Sequence, residues 1–409
     1  MSKKILFGPF NQLLPLSHLP LKGALPDERL TIIESGAILV SGDTILEIGR
    51  FSDLKSKADH IEYFEAGSVC LPGFVDAHTH ICFGGSRAND YAMRNAGKSY
   101  LEIAKAGGGI WDTVTKTRLE SEASLITGIL ERAQKHLSNG VTTIEVKSGY
   151  GLSVEEELKM LRAIKNANAN TPADLVATCL AAHMVPKDWN GTPEGYLEEI
   201  ASNLFPILKS ESLTNRIDAF IEESAFNPHQ IRPYFQKAQK MGFDLTVHAD
   251  QFSSGGSQVG VDWGAISADH LEASGKNEIE ILAKSETIAT ALPGASIGLG
   301  CAFTPARKLL DSGACLAIAS DHNPGSAPMG NLLAQASILG TFEKLSNAEI
   351  LAGITYRAAG ALNLQDRGLL SKGKLADFSI FPTKNYQEIT YHQGQLTPCA
   401  MIKNGIKIY

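Results

Sequence analysis

The sequence predicts an α/β fold, a (β/α)8 TIM-like barrel carrying a small β-sandwich-like domain built from both chain ends. Three observations predict it. Strand and helix patterns alternate through the middle of the chain, as a parallel sheet with crossover helices requires. Short β runs with glycine turns crowd the two ends, and histidines and carboxylates recur where the predicted strands stop.

The elements follow in order. Residues 1–70 hold Thr31-Ile32-Ile33, Ala37-Ile38-Leu39-Val40, a Ser41-Gly42-Asp43 turn and Thr44 to Gly49. They read as a small antiparallel module. The same texture returns in Asp377 to Phe381 and in Met401 to Ile408, the latter a hairpin around Asn404-Gly405. Residues 1–70 with 365–409 are therefore expected to form one β-domain, and 71–364 the barrel. Eight strands are expected: Phe74 to His80, Thr142 to Lys147, Leu175 to His183, Ile217 to Glu222, Leu245 to His248, Ala265 to His270, Thr287 to Leu292 and Leu316 to Asp321. Helices are expected over Glu155 to Asn166, with Leu158, Leu161 and Ile164 on one face, over Pro228 to Lys240 and over Asn277 to Ala283. Residues 81–140 form a long insertion after the first strand, with at least one helix, over Glu122 to His136, and the glycine run Gly107-Gly108-Gly109. Such excursions line the mouth of a barrel.

Composition narrows the function. With 44% hydrophobic and 20% charged residues in 409, the chain is an ordinary globular protein with a large core. Net charge is -7 and the basic residues are scattered, which argues against nucleic acid as a partner. No run of about 18 apolar residues occurs, so no membrane is expected. The six cysteines are dispersed without a Cys-x-x-Cys pair, which suits reduced thiols and a cytoplasmic location. The edges of a split β-domain allow a homodimer.

Val75-Asp76-Ala77-His78-Thr79-His80 carries the chemistry. In a strand, residues i and i+2 share a face, so His78 and His80 are presented to one point in space. His183, Glu222 with Glu223, His248, His270 and Asp321 with His322 end other predicted strands. In a (β/α)8 barrel those ends converge on the rim that holds the active site. His78, His80, His248 and Asp321 make a set of imidazoles and a carboxylate suited to one Zn or Fe ion per subunit, divalent or trivalent, with water completing its shell. Such an ion acidifies water and implies hydrolysis. Asp321 can take the water proton, and His270 is left as an acid-base partner.

These residues, with Gly373-Lys374-Leu375-Ala376-Asp377 after the barrel, resemble the amidohydrolase superfamily of metal-dependent hydrolases over nearly the whole chain. Lys105 to Ile110, Val146 to Leu152, Val247 to Phe252 and Ser320 to Ser326 are similar to motifs of its branch acting in histidine degradation. That resemblance implies a small-molecule substrate, 4-imidazolone-5-propanoate, whose ring amide is opened by water to N-formimidoyl-L-glutamate. It also implies that Arg87 grips the propanoate carboxylate, that Tyr150 and His183 contact the substrate, and that Asn323, Gly325 and Ser326 bind the glutamate end of the product. Gln251 stands where related deaminases carry a glutamate. Glutamine cannot act as acid or base, so Gln251 is expected to orient a ring nitrogen or the water at the catalytic centre. The alternative is an aminohydrolase of a purine-like heterocycle. Two-metal relatives place a carbamylated lysine at the end of strand four, where Ile221-Glu222-Glu223-Ser224 has none. A single metal is expected, with Lys147 in a structural ion pair.

Overall fold

The structure, a computed structural model, describes residues 3–64, 67–223 and 225–409. Ser224, the last residue of the strand-four motif, lies outside them.

Eight parallel strands form the barrel: Phe74–Asp76, Val141–Lys147, Asp174–Ala182, Arg216–Ile221, Asp244–Ala249, Ser267–His270, Ile288–Ala291 and Leu316–Ile318. Each pairs with the next in chain order. Several are shorter than the sequence suggests, because the chain leaves extended geometry where the polar residues begin. His270 and Asp321 have φ of 87° and 51°, in the left-handed region that side chains other than glycine seldom adopt. Such strain persists where surrounding structure imposes it, commonly at functional sites.

Between the first and eighth strands the barrel closes at its C-terminal rim. Thr79 bridges His322 in parallel, Asp321 N donates to His78 O at 3.0 Å, and His80 N donates to His322 O at 2.9 Å. The seam therefore binds together the two segments that carry His78, His80 and Asp321.

The outer layer is helical for the reasons the sequence gives. Val154–Asn168 starts at Ser153, whose hydroxyl accepts from Glu156 N, and buries Leu158, Leu161 and Ile164 against the sheet. Pro228–Lys240 opens with a capping box between Asn227 and Gln230. The insertion, expected to hold at least one helix, carries Ala88–Asn95, Tyr100–Lys105, Ile110–Leu119 and Glu122–Ser138. The first three are short, of six to ten residues, which gives a periodic pattern little length in which to show.

Both chain ends build one eight-stranded sheet over a core that includes Phe7, Phe10, Ile38, Phe378 and Ile402. It is mixed rather than the antiparallel module expected: Lys4–Leu13 pairs antiparallel with Ile33–Ser41 but parallel with His60–Glu62 and Val69–Pro72. Alternating apolar residues look the same in either orientation, so only the connections decide it. Val69–Pro72 leads through Gly73 into the first barrel strand, where a Cβ would stand 2.4 Å from the Thr142 hydroxyl. The hairpin of Ala400–Lys403 and Ile406–Lys407 turns at Asn404 and Gly405, both at positive φ, as its Asn-Gly signature requires.

Candidate metal centre and substrate pocket

His78, His80 and His248 bring one nitrogen each to a common point at the rim, and all three are buried. His80 Nε2 lies 3.2 Å from His78 Nε2 and 3.3 Å from His248 Nε2, and Asp321 Oδ1 is 3.6 Å from Nε2 of both His78 and His80. A tetrahedral ion with bonds of ~2.0–2.1 Å spaces its donors about 3.3–3.4 Å apart. The two His80 distances are close to that spacing, and Asp321 stands slightly farther from His78 and His80.

Its protonation suits a cation as well. Burial drives His78 and His80 well below the ordinary imidazole range and His248 down to about 3, so the rings are neutral with lone pairs to share. Asp269 Oδ2 accepts the Nδ1 proton of His78 at 2.7 Å, and Asp218 Oδ2 lies 3.0 Å from His248 Nδ1. A carboxylate on Nδ1 leaves Nε2 unprotonated and facing the cluster centre. Three buried neutral imidazoles converging on one point, two of them with a carboxylate at Nδ1, fit a metal. Asp321 is the carboxylate beside two of these rings. Burial pushes its carboxyl up to about 7, and Ser326 Oγ donates to its Oδ2 at 3.3 Å.

Lys147 takes no part in this donor set. Its ammonium is fully buried, 2.8 Å from Asp218, 2.9 Å from Glu145 and 3.7 Å from Asp269. Burial alone would raise Asp218 and Glu145 and lower Lys147, each toward its neutral form, yet the surrounding carboxylates keep the proton on Lys147, and His248 with Lys147 pulls Asp218 well below the carboxylate range. Glu222 is likewise occupied: its carboxylate accepts from Phe252 N, Ser253 N and Ser253 Oγ and so anchors the loop that carries Gln251.

The other candidates line the same rim. The His270 ring lies tilted beside His248, 5.4 Å between centroids, with Glu272 Oε1 3.4 Å from its Nδ1. Burial by itself would lower His270, but Glu272 and Asp321 outweigh it and raise it above the ordinary value. His183 donates Nδ1–H to Gly149 O at 2.9 Å and stacks on His80 at 5.7 Å, with Tyr150 5.6 Å away. Gln251 sits half-buried three residues past His248. Arg87 is buried and paired with Asp90, and its Nη1 borders Gly325, where a Cβ would come within 3.0 Å. In the loop after strand eight, Asn323 Oδ1 accepts from Gly325 N and Ser326 N, while its amide donates to Asp321 O and Ser326 Oγ. The groups expected to bind a ligand there are thus largely spent on shaping the loop.

Sequence reasoning missed Asp218, Asp269, Glu272 and Asp90. Asp218 did leave a signal, a carboxylate inside the apolar run Ile217 to Ile221, whereas Asp269 stands among polar residues in Ser267–His270. Glu272 and Asp90 left none, because both sit in polar surroundings along the chain.

A (β/α)8 barrel with three imidazoles and a carboxylate at its C-terminal rim defines a class, the metal-dependent hydrolases. The amidohydrolase family model matches residues 69–406, and the chain belongs to that family. Among its relatives, an imidazolonepropionase of Erwinia tasmaniensis is 40% identical over 405 residues, covering 97% of this chain and 99% of the relative. An imidazolonepropionase of Acinetobacter baumannii is 39% identical over 383 residues, 93% of this chain and 96% of the relative. Solved structures share the fold at much lower identity. Atrazine chlorohydrolase from Arthrobacter aurescens complexed with zinc superposes with a TM-score of 0.71 at 14% identity, over 99% of this chain and 95% of that one. A zinc-bound adenosine deaminase from Xanthomonas campestris gives 0.71 at 16%, over 98% and 92%.

Proposed function

We propose that this chain hydrolyses the ring amide of 4-imidazolone-5-propanoate to N-formimidoyl-L-glutamate, a step of histidine degradation. The observation that carries the reading is full-length similarity to imidazolonepropionases together with a buried cluster of three imidazoles at the rim with Asp321 beside it. His78, His80, His248 and Asp321 would hold one ion, zinc or iron, since the donor set suits both. When bound, the ion supplies acidification of water into the neutral range.

The protein residues then divide the remaining work. Water oxygen adds to the ring carbonyl carbon, the carbon-nitrogen bond breaks, and the water proton must reach the departing ring nitrogen. Asp321, with a carboxyl near neutrality, accepts the proton, and His270, kept protonated by Glu272, is placed to donate one to the nitrogen. Arg87 receives the propanoate end, a guanidinium being matched to a carboxylate, and the loop of Asn323, Gly325 and Ser326 borders it. Tyr150, His183 and Gln251 face the ring, and Gln251 orients it without exchanging protons. A small molecule is the partner. The cytoplasm is its place on this reading, in keeping with six cysteines that form no disulfide among the described residues and with no helix long and apolar enough to cross a membrane.

Metal analysis of the purified protein, with product identification after incubation with 4-imidazolone-5-propanoate, tests the reading. N-formimidoyl-L-glutamate and about one ion per chain are expected. Ammonia released from an aminopurine, with no ring opening of the imidazolone, would replace it by a deaminase.

A further inference from the structure

Within the glycine run, Gly108 packs against the side chain of Asp90 and Gly109 N donates to it. A Cβ at Gly108 would lie 2.4 Å from Asp90 Oδ1 and 2.8 Å from Asp90 Cγ, while Gly107 and Gly109 have φ of 90° and 84°. Asp90, 3% exposed in the helix Ala88–Asn95, accepts two hydrogen bonds on one oxygen: from Arg87 Nε at 2.5 Å and from Gly109 N at 2.9 Å. Arg87 Nη1 reaches Thr113 Oγ1 at 3.4 Å and abuts Gly325.

We infer that Asp90 is the positioning residue of the carboxylate-binding arginine, and that Gly108 lacks a side chain so that Asp90 can reach it. The inference rests on the role proposed above for Arg87. Arginine has a long flexible stem, and a buried guanidinium without a counter-charge is costly to desolvate. Asp90 resolves both difficulties. It occupies the Nε edge, leaves the Nη nitrogens for the ligand, and ties the arginine to the backbone of the glycine turn. The direction of the fork is then set before the ligand arrives, which lowers the ordering cost of binding. Thr113 and Gly325 bound the space on the Nη side, so a ligand carboxylate meets donors in one orientation.

The test uses metal-loaded full-length protein and two probes titrated calorimetrically, 3-(imidazol-4-yl)propanoate and 4-ethylimidazole, which differ in the carboxylate. The wild type should prefer the carboxylated probe. Asp90→Ala should lower that preference roughly 3- to 10-fold, the scale of one side chain left to be ordered on binding. Asp90→Asn, whose Oδ1 can accept both N–H groups, should restore most of it. Gly108→Ala should act like Asp90→Ala by pushing the carboxylate away, yet add little in the Asp90→Ala background, where the methyl has room. That double variant also keeps the test valid if Gly108→Ala alone fails to fold. Equal weakening of both probes in Asp90→Ala, an unchanged preference, or a wild type without preference each overturns the inference. A wild type that shows the predicted pattern but does not open 4-imidazolone-5-propanoate leaves Asp90 in its role and removes the proposed reaction instead.

Discussion

His78 donates its Nδ1 proton to Asp269 across 2.7 Å, both side chains almost completely buried. The pair joins the first barrel strand to the sixth and fixes which ring nitrogen of His78 is free for the cluster. Asp269→Asn should lower metal affinity about 10- to 100-fold, the usual scale for a carboxylate that orients a ligand histidine, in chelator competition on folded protein. Wild-type affinity in this variant would show that ring packing alone holds His78.

Loss of a donor is more severe. His78→Ala or Asp321→Ala should abolish activity and leave far-ultraviolet circular dichroism close to wild type, because the barrel core does not include these residues. Full metal occupancy with wild-type turnover in His78→Ala would mean that the ligand set is wrong.

His270 separates acid-base work from metal binding. His270→Ala should reduce turnover by ~10² to 10⁴ with metal content still near one ion per chain. Loss of metal in that variant would make His270 a ligand.

Arg87→Ala should lower kcat/KM roughly 30- to 1000-fold, equivalent to ~2 to 4 kcal/mol for a charge-assisted bidentate pair at a desolvated site. Arg87→Lys should recover only part, since an ammonium lacks the fork. An analogue without the carboxylate should already be poor and lose little more; equal damage to both substrates would assign Arg87 to the loop.

A pH dependence of stability follows from His136, which takes no part in the metal cluster. Its Nε2 lies 3.0 Å from His322 Nδ1 and its Nδ1 3.4 Å from Asp76 Oδ2, and burial lowers it from 6.5 to about 3. Above pH 6.5 the ring is neutral folded or unfolded and contributes no slope. Between about 6.5 and 3 the unfolded chain binds a proton that the folded chain refuses, so stability falls with pH, by at most ~1.4 kcal/mol per unit. Urea unfolding at pH 7 and pH 5 should show the loss, and His136→Gln should shrink it. An unchanged difference would place the titration elsewhere.

Much of this was legible in the chain itself. Strand and helix periodicity announced the barrel, and His-x-His at a strand end declared two donors on one face, since alternation along a strand is a property of local backbone geometry. His248, His270 and Asp321 could be added because a parallel barrel brings all its strand ends to one rim. The Asn-Gly hairpin and the capped helices were equally local.

Other features are set by distance in three dimensions. Asp218 with His248 and Asp269 with His78 are separated by 30 and 191 residues, and no local pattern records which carboxylate will meet which ring. Whether Lys147 would hold a metal or an ion pair was decided by the carboxylates that three strands bring around it. Glu222 became an anchor for the Gln251 loop, and Asp90 a partner of Arg87, through packing of segments whose order in the chain says nothing of their contact. Residue types and local periodicity suffice for the elements and the donors; the hydrogen bonds that orient those donors exist only once the strands are side by side, because they run across the sheet and not along the chain.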